Sequence, residues 1–236
     1  MGNVLAMQYW LSRLGLEYIY HPVEIGESLP EYTDFYFMGG GQDKDQEMVA
    51  KDLETKKVRL KQDVENGIAL LTICGGYQLL GKQFVTGKGV ELDGLGIFPV
   101  VTKSPDSSVR SRCIGNIVVE SDILEDGQKL RLVGFENHGG QTRFIDSEQV
   151  GNNAKSLGKV LVGYGNNYFD KQEGCVYRNA IGTYCHGSFL PKNPEITLWL
   201  IRKALEAKGE QIDIPADILE GQIATKAREV VLDKVL

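Results

Sequence analysis

One cysteine stands where a thiol can do covalent chemistry. In Leu71-Thr72-Ile73-Cys74-Gly75-Gly76-Tyr77-Gln78 it sits between a continuous apolar run, Ile68 to Ile73, and a helical pattern over Tyr77–Phe84. A buried strand, a reactive residue on the bend, glycines and then a helix make a nucleophile elbow, as in the serine version G-x-S-x-G. A thiol gains from this twice. The partial positive charge at a helix start lowers a thiolate pKa, and the first N–H groups of the helix are available to an oxyanion. A lone cysteine is by default a small buried hydrophobe. That is our reading of Cys113, Cys175 and Cys185, which lack the context of Cys74.

A thiol nucleophile needs a base, and the chain has three histidines. His21 falls in strand-like Tyr18–Val23 and reads as structural. His138 lies in a polar, glycine-rich loop, Gly134-Phe135-Glu136-Asn137-His138-Gly139-Gly140. His186 ends another apolar strand, Gly182-Thr183-Tyr184-Cys185-His186-Gly187, at the sheet edge where α/β ligand sites form. His186 is the preferred base and His138 the alternative. A further glycine cluster, Met38-Gly39-Gly40-Gly41-Gln42-Asp43, follows a strand pattern at Asp34–Met38. The N–H groups of Gly40 and Gly41 are suited to complete an oxyanion hole with Gly75. The other reading is a phosphate loop, but no Gly-Lys-Ser/Thr follows to make a Walker-type site.

These residues need a sheet to hold them. Asn3–Leu14 reads as a helix capped by Asn3, Glu17–Ile25 as a strand, Asp43–Asn66 as a helix and Ile68–Ile73 as a strand buried on both faces. Alternating strands and helices imply a parallel sheet with helices on both sides. Between Gly94 and Gly165 the pattern changes to short strands, Ile117–Glu120, Leu130–Phe135 and Val160–Tyr164, which predicts added, partly antiparallel strands. Helices over Pro194–Lys208 and Pro215–Leu236 close the chain. No linker divides it, so a single domain spans 1–236, with a core over about 2–208 and a C-terminal helix at 215–236. The sequence opens on a helix where such sheets usually open on a strand, so a first strand is expected to be missing.

Composition excludes several classes. With 42% hydrophobic and 25% charged residues in 236, the chain is globular, neither disordered nor fibrous. A net charge of −6 argues against nucleic acid or an anionic membrane as the main partner. No apolar run approaches a membrane span, no secretion signal is visible, and the cysteines have no metal-ligand spacing. A cytoplasmic protein with free thiols and no metal is expected. The 28 glycines, about 12% of the chain, exceed the usual ~7%. They cluster around the proposed site.

Thr72–Gln78 resembles the nucleophile motif of class I, triad-type glutamine amidotransferases, and its Cys-Gly-Gly-Tyr-Gln form resembles the cobyric acid synthase-like (CobB/CobQ-type) branch. Gly39–Asp43, Gly134–Thr142, Gly163–Asn167 and Gly182–Asn193 follow in the order found in the glutaminase subunits of lipid II isoglutaminyl synthases, over essentially the whole chain. The resemblance implies an α/β, flavodoxin-like three-layer sandwich with a mostly parallel sheet and added antiparallel strands. It implies that Cys74 attacks the amide of L-glutamine with His186 as base, that Arg112 binds the substrate and that Gln78 is a second substrate contact. Read without the family, Arg112 is a solvated surface charge. The resemblance also implies a Mur ligase-like partner of the MurT type. That subunit would carry ATP and Mg and use the ammonia to amidate D-glutamate of lipid II, while this chain needs no cofactor. Many class I enzymes carry a glutamate two residues after the catalytic histidine; here that position is Ser188. Two other readings remain: a cobyric acid synthase-type enzyme acting on another carboxylate, and a Cys-His hydrolase or inactive binding module on the same scaffold.

Overall fold

The computed structural model describes residues 1–41, 46–105, 112–124, 127–145 and 154–236. Its elements begin with helix α1 (Gly2–Arg13), strand β1 (Phe35–Met38), helix α2 (Gln46–Glu65), strand β2 (Ala69–Ile73) and the short helix α3 (Gly75–Leu79). Eight strands follow: β3 (Gln83–Val85), β4 (Glu91–Asp93), β5 (Val100–Lys103), β6 (Cys113–Ser121), β7 (Leu130–His138), β8 (Gln141–Phe144), β9 (Gly158–Val162) and β10 (Gln172–Glu173). Strands β11 (Cys175–Tyr177) and β12 (Ala180–Thr183) lead into helices α4 (Phe189–Lys192), α5 (Pro194–Ala207) and α6 (Ile223–Val235).

The site is carried by the sheet ordered β1-β2-β12-β11. Its inner pairings, β1 with β2 and β2 with β12, are parallel, and β11 joins antiparallel. All residues of β2 and β12 are buried, as expected for strands covered on both faces. Side chains alternate across a strand. Ala69, Leu71 and Ile73 therefore pack with Ile181 against Met7 and Trp10 of α1 and Ile196 and Leu200 of α5. Leu70 and Ala180 face Leu53, Leu60 and Val64 of α2 and Tyr77 of α3. Two cores on either side of one sheet make the three layers. The added strands form two further four-stranded sheets, β10-β9-β6-β7 and β4-β3-β5-β8, paired antiparallel except for β3 with β5.

Five expectations need correction. Glu17–Ile25 is not a strand. Tyr18, Ile19, Tyr20, Val23 and Ile25 are exposed, and apolar, β-prone residues make a strand only where another strand takes up their backbone hydrogen bonds. His21 is likewise exposed outside any strand. Asn3 does not cap α1, because Met1 is the N-cap and Asn3 lies inside the helix. The helix after Cys74 stops at Leu79, and Phe84 enters β3; Gly81, which packs on the carbonyl of Val100, turns the chain there. The last helix begins at Ile223 rather than Pro215, after a turn that includes Gly221 at φ +67°. The start of the second helix as expected, Asp43 to Asp45, lies outside the described residues, as do Arg110 and Ser111. No helix among the described residues is long and apolar enough to cross a membrane.

Candidate active site

Cys74 turns at the end of β2 with φ 51° and ψ −107°, in a region that non-glycine residues rarely occupy. Its N–H still bonds to the carbonyl of Thr183 at 2.9 Å, so the ladder between β2 and β12 extends to the nucleophile itself. The two glycines that follow are required by close backbone approach. A Cβ at Gly75 would lie 3.3 Å from the N of Gly41, and one at Gly76 would lie 3.1 Å from the carbonyl of Met38 and 3.2 Å from that of Gly39. The glycine loop after β1 thus lies directly on the start of α3. This puts the backbone of Gly40 and Gly41 beside Cys74 and Gly75.

Cys74 and His186 converge on Gly40. A Cβ there would stand 3.3 Å from the Cβ of Cys74 and 3.5 Å from Cε1 of His186. His186 follows β12, whose Thr183 is in register with Ile73 of β2. Its backbone pairs with Phe135 of β7 in both directions, N–H of His186 to O of Phe135 at 2.7 Å and the reverse at 3.2 Å. Burial, then electrostatic interaction with neighbouring His138 and Arg112, push the His186 pKa below the ordinary imidazole value. A neutral ring at pH 7 is the form a general base needs. Its Nε2 is buried with no hydrogen-bond partner, and among the described residues no carboxylate bonds to this ring. Ser188 does not stand in for one. It takes a left-handed conformation, φ 58°, and its hydroxyl packs against Gly2 at the start of α1.

His138 is placed differently. It ends strand β7 rather than lying in a loop. It is buried, its Nδ1 donates to the carbonyl of Gly140 at 2.8 Å, and its ring stacks on Tyr184 with centroids 3.6 Å apart. Glu136 lies 3.8 Å from its Nε2 and accepts the N–H groups of Tyr164 and Gly165. Gln78 is buried beneath the elbow. It donates to the hydroxyl of Tyr184 at 3.1 Å, and Gln46 donates to its carbonyl oxygen at 3.5 Å. The hydroxyl of Tyr184 also meets that of Thr142 at 2.6 Å.

Arg112 is exposed at the start of β6, held by Asn137 of β7. Nε and Nη2 donate to the side-chain oxygen at 3.1 and 2.8 Å, and Nη2 to the carbonyl at 3.3 Å. Asn137 and Tyr184 were missed in the sequence. Both lie inside quoted motifs, but only the pairing of β6 with β7, which sets Asn137 opposite Ile114, brings it within reach of Arg112. Glu173 was also missed. Fully buried, it accepts the hydroxyl of Thr183 and the N–H of Tyr184, both at 2.7 Å, bracing the strand that carries the base. Burial pushes its carboxyl up to about 7, and nearby Glu136 adds to the shift.

The fold, with Cys74 and His186 both lying against Gly40, points to a class. Residues 10–194 match the CobB/CobQ-like glutamine amidotransferase domain, and the chain belongs to that family. Within it, the chain is 40% identical over 237 residues to the lipid II isoglutaminyl synthase (glutamine-hydrolyzing) subunit GatD of Staphylococcus aureus (strain N315), covering 99% of this chain and 89% of that protein. It is 35% identical to the subunit of the same name from Streptococcus pneumoniae (strain ATCC BAA-255 / R6), covering 97% and 85%. A cobyric acid synthase of Methylobacterium nodulans is 29% identical over 91% of this chain, which spans only 41% of that protein. Two solved structures share the fold. One is the glutaminase domain of Trypanosoma brucei CTPS with bound acivicin (TM-score 0.55, 12% identity, 91% of this chain and 89% of that one). The other is a glutamine amidotransferase from Thermotoga maritima (0.51, 20%, 95% and 86%).

Proposed function

We propose that this protein is the glutamine-hydrolysing subunit of a lipid II isoglutaminyl synthase. The observation that carries the reading is the convergence of Cys74 and His186 on Gly40 in a chain collinear with two such subunits. The thiol of Cys74 attacks the side-chain carbonyl carbon of glutamine while neutral His186 accepts the thiol proton. The N–H groups of Gly75 and of the Gly40–Gly41 loop stabilise the oxyanion. The imidazolium returns its proton to the leaving nitrogen, and ammonia departs. Water, deprotonated by the same ring, then cleaves the glutamyl thioester and releases glutamate. Arg112 pairs with the α-carboxylate of the substrate, a contact that suits a guanidinium. Gln78, whose Nε2 donates to Tyr184, supplies a second substrate contact.

The ammonia serves an ATP-dependent, Mur ligase-like partner in the cytoplasm, which amidates D-glutamate of lipid II to D-isoglutamine. ATP and Mg belong to that partner. Incubating the full chain, alone and with the synthetase subunit, with an electrophilic glutamine analogue tests the site. Mass spectrometry is expected to find one adduct, on Cys74, and glutamine hydrolysis is expected to rise when the partner is present. An unlabelled Cys74 in the assembled complex overturns the assignment. Equal rates with and without the synthetase overturn the partner.

A further inference from the structure

Among the described residues no carboxylate bonds to the ring of His186, and other contacts hold the loop that carries it. One restraint comes from β7: the paired backbones of His186 and Phe135, and buried Asn193. The side chain of Asn193 accepts the N–H of Val133 at 2.9 Å and donates to the carbonyls of Val133 and Phe189 at 2.9 and 2.8 Å. A second comes from the first turn of α1. The side-chain oxygen of Asn3 accepts the N–H of Leu190 at 2.9 Å, across 187 residues of sequence. Gly2 lies against Ser188 so closely that a Cβ on it would stand 2.1 Å from Oγ and 2.8 Å from Cβ of that serine. These contacts fall two and four residues after His186, one at the left-handed turn of Ser188 and one just beyond it.

We propose that the start of α1 is a clamp on the general base, with Asn3 as its positioning residue. Asn3 fixes Leu190, Gly2 seats Ser188, and together with the pairing to Phe135 they leave the His186 ring one placement over Cys74. Gly2 and Asn3 lie outside residues 10–194, which match the family. The clamp is built on a part of the chain that the matched domain does not include. The inference rests on the Cys74–His186 reading proposed above.

Its test is the pH dependence of Cys74 alkylation by chloroacetamide in the full chain, measured beside kcat and KM for glutamine hydrolysis with the synthetase subunit present. An imidazole held near a thiol favours the thiolate and moves its alkylation profile to lower pH. His186→Ala is expected to move the profile to higher pH, and Asn3→Ala to move it part of the way. Asn3→Ala should also lower kcat about five- to tenfold, the size expected from one positioning hydrogen bond, with KM nearly unchanged. Asn3→Asp retains the acceptor and should restore both. Gly2→Ala, which drives a methyl into Ser188, should reproduce Asn3→Ala even where that variant folds poorly. If His186→Ala shifts the profile while Asn3→Ala and Gly2→Ala leave it and kcat unchanged, the clamp is wrong and the Cys–His pair stands. If His186→Ala leaves the profile unmoved, the pair itself is wrong.

Discussion

Two neighbouring parallel strands end at the site, and they deliver their residues in different ways. Strand β2 delivers Cys74 by local means. The bend lies at the cysteine itself, and Gly75 and Gly76 are packed by the glycine loop after β1. Strand β12 delivers His186 by distant means. Thr183 and Tyr184 are tied to Glu173, His186 to Phe135, and the loop beyond to Asn3 and Asn193. A nucleophile set by its own turn is written in a short motif. A base set by four separate partners is not.

The largest effects should come from the two reacting groups. Cys74→Ala is expected to remove glutamine hydrolysis, and His186→Ala to lower kcat by about 10²–10⁴, the usual range for a general base. His138→Gln should lose much less, because His138 is buried in stacking and hydrogen bonds away from Gly40. Steady-state rates of the three variants, each shown folded by circular dichroism, check this. Equal losses at His138 and His186 would erase the distinction between the two histidines.

The strands also differ in how tightly they pack. Gly182 in β12 faces the ring of Tyr77, where an added Cβ would lie 2.2 Å from Cδ2. Both residues are fully buried, so Gly182→Ala overpacks the contact between β12 and α3 and should destabilise by about 1–3 kcal/mol. Thermal unfolding reads this directly, and an unchanged midpoint would show that the two elements slide freely. Arg112→Ala, by contrast, changes an exposed side chain. It should raise KM for glutamine about tenfold or more, with kcat little affected. A loss in kcat alone would remove Arg112 from ground-state binding.

The sequence made the β2 side legible and left much of the β12 side dark. Ile68–Ile73, Cys74 and the glycines carry their meaning within ten residues, because buried strands read as apolar runs and tight turns need glycine. His186 was legible as the residue ending an apolar strand. Its supports were not: Glu173, Asn193 and Asn3 act through bonds to residues 10, 60 and 187 positions away, and no local pattern encodes those. The failed strand at Glu17–Ile25 has the same cause in reverse. Its residue types suit a strand, but no strand among the described residues pairs with it.

Glu173 gives the subtlest test of the contrast, since it is a titratable brace on the base strand and, among the described residues, no such brace holds the nucleophile strand. Its carboxyl is raised from an ordinary 4.5 to about 7, first by burial. The folded protein therefore holds this proton more tightly than the unfolded chain does. That contribution to stability is complete below about pH 4.5 and is lost as pH rises through 7. Gln cannot titrate yet keeps an acceptor for Thr183 and Tyr184. The melting temperature of Glu173→Gln, measured against the unsubstituted protein, should therefore improve steadily from pH 4.5 to 7.5. His186, whose pKa is lowered, adds a slope of opposite sign below its ordinary value, but that slope is common to both proteins and cancels in the difference. A difference that stays flat across this range would mean that Glu173 is already ionised in the fold, and that the base strand is held by charge rather than by a neutral acid.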